Sequence, residues 1–336
     1  GILMKNILLF QIIFAFIFSA CSDFSGNEDA VEASLKPAPV TRNNNNNNNN
    51  DDDTPRPRTY YDLKGITFGN NTFVAVGEEG TVRYSSDNGS SWDNGTSGTT
   101  RDFYEIAYGD NTFVAVGQSG RHSYSSNNGT SWDNGTWSDT DHVTGVAFGN
   151  NTFVGVSSTY FTRSTDNGSN WIRGCSGVRV HDIAFGNSRF VGSGAEGAIQ
   201  ISDNGSGCST PSGTGSRTTE ETLSGITFGN NRFLTVGTDG WLSITADNGN
   251  NFTALTIPTG ANDLKSAAYG NNIFVAVGIR SVVVSNNDAS TNPILKENTL
   301  SFNDVTFGNG IFAAVGDDEN IYTSTDGDTW TKVHGK

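Results

Sequence analysis

Carboxylates are the residues of this chain whose spacing invites a chemical reading. Asp87, Asp166, Asp203, Asp247 and Asp326 recur at matching places, each one or two residues before a glycine. A catalytic acid is needed once, whereas these return along the whole chain. An aspartate just ahead of glycine in a tight turn accepts backbone N–H bonds and fixes the turn. Calcium would need six or more oxygens converging in one loop, and each copy offers one or two carboxylates. The recurring acids are therefore read as structural, with no metal, no cofactor and no catalytic residue among them. Glu105, Asp182 and Asp304 behave differently. They fill a position that is Gly65, Gly145, Gly225 or Ser266 elsewhere, so their charges are particular to their places. Acids grouped this way suit a cation, a sugar or an acid/base pair; the alternative is a hydrated lining. No His/Cys metal spacing, nucleophile elbow or phosphate loop is present.

The elements that must hold these residues are legible as a repeat. Ile66-Thr67-Phe68-Gly69-Asn70-Asn71-Thr72-Phe73-Val74-Ala75-Val76-Gly77 returns in seven versions, marked by Phe73, Phe113, Phe153, Phe190, Phe233, Phe274 and Phe312. A period of about 40 residues built of short strands signals a β-propeller. The expectation is an all-β fold: a seven-bladed propeller of four-stranded antiparallel blades over residues 60–336, each repeat complete and the ring closing without a swapped strand. In the first strand of each repeat a small residue (Thr67, Ala107, Ala147) precedes a large one (Phe68, Tyr108, Phe148). Alternation of period two sends the two to opposite faces, as blades that interlock require.

A second phrase lies between the expected third and fourth strands. Ser85-Ser86-Asp87-Asn88-Gly89-Ser90-Ser91-Trp92 has copies ending in Trp132, Trp171, Phe252 and, one residue shorter, Trp330. This Ser-x-Asp-x-Gly-x-x-Trp pattern resembles the Asp-box, or bacterial neuraminidase repeat. Propellers of that group include sialidases, some endoglucanases, sortilin-like receptors and the photosystem II assembly-factor family. Three copies depart from the pattern: Asn127 replaces the aspartate in repeat two, repeat four places Ile201 and Cys208 at the Ser and Trp positions, and Ser285 to Asn292 is eroded. The resemblance implies that the boxes and the Gly-Asn-Asn turns share one face. The second-to-third loops and the blade links then form a variable face, where a site belongs. The candidate residues there are Arg101, Tyr104, Glu105, His181, Asp182, Arg217, Arg280 and Asp304, with the three acids toward a central channel. Sialidases clamp a carboxylate with three arginines, which Arg101, Arg179, Arg217 and Arg280 could supply. The Arg-Ile-Pro motif of that family is absent, and sialidases have six blades, so the enzyme reading is secondary.

The amino end carries a different kind of information. Met4-Lys5-Asn6 precedes an apolar run, Ile7 to Phe18, that is too short for a comfortable membrane span. Phe18-Ser19-Ala20-Cys21 resembles a bacterial lipoprotein signal, which implies lipidation of Cys21 after removal of residues 1–20. Residues 21–59 include eight consecutive asparagines followed by the run Asp51-Asp52-Asp53. They hold too little apolar surface to fold and read as a disordered tether. Cys175 and Cys208 remain: an exported chain can bridge such a pair, and the alternative is two free thiols. A net charge of −15 disfavours nucleic acid. The expectation is a monomeric, non-catalytic binding module at the bacterial cell envelope, membrane-attached through its lipid, with a protein or glycan partner. A periplasmic scaffold factor and a glycoside hydrolase are the alternatives.

Overall fold

The computed structural model describes residues 60–135, 140–176, 179–211, 221–286 and 293–336. Cys21, the asparagine tract, Arg217 and much of the eroded sixth box lie outside the described residues. Seven antiparallel sheets follow one another along the chain, and in each the strands are hydrogen-bonded in sequence order. Their innermost strands are Leu63–Gly69, Phe103–Gly109, Gly145–Gly149, Val180–Gly186, Leu223–Gly229, Leu264–Gly270 and Asp304–Gly308, which define blades 1 to 7. The last blade is built wholly from Asp304–His334, so no strand is exchanged to close the ring.

The repeated sequence acts mainly between blades. Buried apolar residues form seven separate clusters, each drawing on two adjacent blades. Within a blade, the first-strand aromatic pairs across the ladder with a second-strand phenylalanine, as Phe68 does with Phe73, at ring separations of 4.6 to 4.8 Å around the ring. The other face of that aromatic lies on the glycine that ends the first strand of the preceding blade. A β-carbon at Gly69 would collide with the Tyr108 ring, and the same holds for Gly109 with Phe148, Gly149 with Phe185, Gly186 with Phe228, Gly229 with Tyr269, Gly270 with Phe307, and Gly308 with Phe68. The last contact joins blade 7 to blade 1. The phrase Phe/Tyr-Gly is thus an interlock, a ring and the slot that receives the next ring, packed at the density of a protein interior.

The boxes also join blades. In blade 1, Asp87 Oδ1 accepts from Ser85 Oγ at 2.8 Å and from Ser91 N at 2.9 Å, while Ser85 Oγ accepts from Gly89 N at 2.9 Å. The Trp92 indole closes the turn by donating to Gly89 O at 3.2 Å. Asn127 copies this geometry in blade 2, accepting from Ser125 Oγ and Ser131 N through Oδ1 at 2.8 and 3.0 Å, which explains why an amide serves there. The box aromatic then reaches back to the preceding blade. Trp92 packs with Ala313 and Val315, Trp132 with Val74 and Val76, Trp171 with Val114 and Val116, Phe252 with Val191 and Ile199, and Trp330 with Val275 and Val277.

Blade 4 corrects two expectations. Among the described residues it has three strands, with a single bridge between Ile201 and Ser209 where a fourth strand was expected. Its box also begins one residue later than the sequence pattern indicates. Ser202, not Ile201, stands opposite Phe190 as Ser85 stands opposite Phe73, and Ser202 Oγ accepts from Gly205 N at 2.9 Å. Asn204 takes the aspartate's part, accepting from Ser206 N at 3.0 Å. Asp203 is therefore not a box aspartate. Its side chain is 82 % exposed and lies 3.6 Å from Arg189. The box is one residue short, as in blade 7, where Asp326 accepts from Ser324 Oγ, Asp328 N and Thr329 N. Cys208, at the tryptophan position, is joined by a disulfide to Cys175 on the fourth strand of blade 3, with a Cα separation of 5.7 Å.

Candidate functional site

Hydrogen bonds separate the two faces of the ring. On one, the Gly-Asn turns bond to the boxes of the next blade: Asn70 Nδ2 donates to Asn128 Oδ1 at 2.9 Å, Asn150 Nδ2 to Asp203 O at 3.1 Å, Asn271 Nδ2 to Thr325 O at 3.0 Å, and Asn309 Nδ2 to Asn88 Oδ1 at 3.1 Å. Four turn asparagines on this face are thus committed to inter-blade bonds, and the box acids to bonds within their own turns. On the other face, the second-to-third turns meet the blade links. These turns are single 3-10 turns such as Glu78–Gly80, Gln118–Gly120, Ala195–Gly197 and Thr238–Gly240.

The link acids are structural, although sequence reasoning groups them with freely varying loops. Asp102 accepts the Glu79 N–H through Oδ1 at 2.9 Å and the Gln118 N–H through its carbonyl at 2.9 Å, so it fastens blade 1 to blade 2. Asp62 does the same for Asp318 and Glu78, and Asp263 for Asp239 and Ile279. Among the side chains left to face solvent, Arg101 is exposed and donates to Ser119 O at 3.2 Å. Tyr104 is stacked on His142 at an interplanar angle of 8°, its hydroxyl 2.9 Å from Nδ1. Arg179 is ion-paired with Glu196 at 2.8 Å, and Arg280 is exposed beside exposed Ile279. Arg101, Arg179 and Arg280 stand at blades 2, 4 and 6.

Glu105, Asp182 and Asp304 sit at the inner ends of first strands of blades 2, 4 and 7. Glycines on the preceding blades clear space for two of them: a β-carbon at Gly65 would lie 3.1 Å from Glu105 Oε1, and one at Gly145 would lie 3.1 Å from Asp182 Oδ1. The carboxylates also hold backbone. Asp182 accepts from Ile183 N at 2.7 Å and, across to blade 5, from Ile226 N at 2.8 Å. Asp304 accepts from Val305 N at 2.8 Å, from Ser266 Oγ of blade 6 at 2.5 Å and from Ile66 N of blade 1 at 2.7 Å. Glu105 accepts from Ile106 N at 2.8 Å. Glu105 and Asp182 keep a partly accessible face, whereas Asp304 is buried. The strands packed around them withdraw much of the bulk water, and this dominates their acidity. Burial, reinforced by the charges of Asp304 and Asp182, pushes Glu105 well above the usual carboxylate range. Burial raises Asp182 to about 7 and Asp304 to about 6, against the opposing effect of their hydrogen bonds. His181, half-buried next to Asp182, is lowered by burial. The box acids show the reverse: hydrogen bonds led by that from the Ser91 hydroxyl hold Asp87 at about 2. In Asp166 bonds from Asn170, Ser164 and Ser169 outweigh burial and give about 2. Among the described residues no group of three or more His, Cys, Asp or Glu side chains is placed to hold a metal ion.

Glu319 lies in the second-to-third loop of blade 7, a loop class that the sequence assigns to the variable face, yet it is committed to structure. It is 2 % exposed and lies in the left-handed region at φ 57°, in the slot filled by Gly80, Gly120, Gly197 and Gly240 in other blades. Its Oε2 accepts from Arg83 Nε and Nη2 of blade 1 at 2.9 and 2.5 Å, Oε1 accepts from Tyr61 N at 3.3 Å, and His334 Nε2 is 3.6 Å away. An acid in a glycine slot is the signal that marks it.

No family model matches the chain, and no curated protein matches it. Solved structures share its fold. A structure of YCF48 bound to D1 peptide superposes with a TM-score of 0.62 at 17 % identity, over 78 % of this chain and 93 % of that one. YCF48 from Cyanidioschyzon merolae gives 0.61 at 16 % identity, over 80 % and 96 %. The WD40 propeller domain of Doa1 gives 0.61 at 15 % identity, over 80 % and 94 %.

Proposed function

We propose that this propeller is a non-catalytic binding module whose variable face receives a protein or glycan partner at the bacterial cell envelope, with the chain exported and lipid-anchored through Cys21. The observation that carries this reading is the unequal commitment of the two faces. Asn70, Asn150, Asn271 and Asn309 spend the Asp-box face on joining blades. The opposite face presents different side chains at each blade, among them Arg101, the Tyr104–His142 stack and Arg280. A uniform scaffold bearing diverse side chains on one rim is how a propeller gains specificity. That a propeller of the same architecture, YCF48, is described bound to a D1 peptide supports a protein partner. The alternative of a periplasmic scaffold factor uses the same face and differs in where the partner resides.

The test is differential capture from intact cells and from envelope fractions. A partner held by the wild-type chain should be lost with Arg101→Ala/Tyr104→Ala/Arg280→Ala and kept with Asn70→Ala/Asn150→Ala; the opposite pattern overturns the assignment of the face. Protease added to whole cells removes a surface protein and spares a periplasmic one. Glu105, Asp182 and Asp304, with their raised pKa values, are what a glycoside hydrolase would use. Turnover of aryl glycosides that disappears in Glu105→Gln would replace the binding reading with that one.

A further inference from the structure

The seam between blades 3 and 4 is filled unlike its neighbours. Where Trp92, Trp132, Trp171, Phe252 and Trp330 reach back to the preceding blade, blade 4 has Cys208. The Cys175–Cys208 pair packs there against the cluster of Val154, Val156 and Phe161. The rest of that edge is weakly held. The box is short, and among the described residues one bridge, Ile201 to Ser209, stands where other blades have a fourth strand. In blades 1 and 2 the next hydrogen bond runs from Gly95 N to Val82 O at 3.1 Å and from Gly135 N to His122 O at 2.9 Å. Blade 4 has Pro211 in that place, and proline has no N–H to give. Outside the bridge lies an open cleft of about 280 Å³ lined by Arg189, Asp203, Gly207, Cys208 and Ser209. Both cysteines are half-exposed.

We propose that Cys175–Cys208 is a reducible clamp, a site of thiol–disulfide exchange with a dithiol reductant, whose opening frees the outer edge of blade 4. The cleft leads an attacking thiolate to Cys208 Sγ. Attack there forms a mixed disulfide, breaks the Cys175–Cys208 bond and releases Cys175 as a thiolate, which takes up a proton. The second thiol of the reductant then attacks its own sulfur in the mixed disulfide and displaces Cys208. The protein gains two electrons and two protons, and the dithiol leaves oxidised. Without the disulfide, Ile199–Ser202 is left with one bridging pair on its outer side and, toward blade 3, no box indole in the place of Cys208, so its outer backbone is weakly protected.

The test is native-state reduction of the full chain with millimolar dithiothreitol, followed by peptide mapping and hydrogen exchange. Mapping of the air-oxidised protein should recover a Cys175–Cys208 cross-linked peptide, and dithiothreitol should cleave it without global unfolding. Exchange should then rise roughly tenfold or more at 199–209 and 172–176, while 82–94 in blade 1 stays unchanged. A Cys175→Ser/Cys208→Trp chain, which supplies the missing indole, should exchange slowly at 199–209 with or without dithiothreitol. The proposal is overturned if the cross-linked peptide is absent, if cleavage waits for global unfolding, or if the reduced protein keeps full protection at blade 4. A response to dithiothreitol in the Ser/Trp chain would overturn it as well.

Discussion

Two seams of the ring solve one problem by different chemistry. Between blades 7 and 1, where the last blade meets the first, the aromatic interlock of Phe68 on Gly308 and the indole of Trp92 are both present. To these the protein adds a buried carboxylate, Glu319, gripping Arg83 and Tyr61. Between blades 3 and 4 the interlock of Phe185 on Gly149 is kept, but the indole is missing and a disulfide stands in its place. The first seam is reinforced because no peptide bond crosses it. The second is repaired because its box has decayed. The difference teaches that the interlock alone sets the geometry of the ring, while stability at a given seam is supplied by whatever local chemistry is at hand.

Each seam should break in its own way. Loss of the bridge in Cys175→Ser/Cys208→Ser should cost the most, about 3–4 kcal/mol for a sequence separation of 33 residues in the chain-entropy account. Urea unfolding of oxidised and reduced protein measures it. Glu319→Ala leaves the Arg83 guanidinium without its partner. The expected loss is about 2–3 kcal/mol, reduced from the fully buried case because Arg83 is partly accessible. Its signature is faster exchange at 61–69 and no change at 199–209. Glu319→Gly relieves the left-handed backbone while losing the same charge, and should recover about 1 kcal/mol of that deficit; equal losses in the two variants would show that φ at this position stores nothing. Gly229→Ala tests an ordinary seam, where forcing a methyl against Tyr269 should cost about 1–3 kcal/mol.

The seams should also differ in their response to pH. Asp304, which bonds Ile66 across the 7/1 seam, is raised to about 6, and Asp182, which bonds blade 5, to about 7. A carboxyl whose native acidity is weakened binds more protons folded than unfolded, so stability falls as pH rises from about 4 towards 7. Allowing for water in the channel, the loss should be on the order of 2 kcal/mol between pH 5 and 8, with Asp182→Asn flattening it. The cysteine bridge itself does not titrate, so the pH response of the 3/4 seam comes from Asp182, which also lies against Gly145 of blade 3. The smallest effects separate the boxes: Asp87→Ala should cost about 1 kcal/mol for its lost turn bonds, and Asp203→Ala under about 0.5 kcal/mol. Equal costs would return Asp203 to the box.

Much of this architecture is legible in the residues because the repeat encodes contacts made seven times. Phe/Tyr-Gly and Ser-x-Asp-x-Gly-x-x-Trp each describe a local geometry, so composition and spacing reveal them. The slip in blade 4 escapes because one deleted residue moves the turn serine from position 201 to 202, and a pattern match cannot see which of the two stands opposite Phe190. Asp62 and Asp102 escape because a link residue that caps a neighbouring turn looks like any acidic loop residue until the neighbour is in view. The grouping of Glu105, Asp182 and Asp304 is legible from the glycines they replace. Their hydrogen bonds to the next blade depend on distances between strands far apart in the chain. Cys175 and Cys208 read as a pair open to bridging, and only the packing of blade 3's fourth strand beside the box of blade 4 brings them together.

The alternation of ring and slot has a cost during folding. Seven interchangeable joints carry no address: Phe148, which seats on Gly109, would fit the slot at Gly69 or Gly149 as well, and a nascent chain could assemble out of order or join a second copy. Singular features are what distinguish one junction from the next. The cysteine pair labels the third boundary and Glu319 with Arg83 labels the last, so a largely symmetric toroid is given a beginning, an end and a single correct sequence of partners.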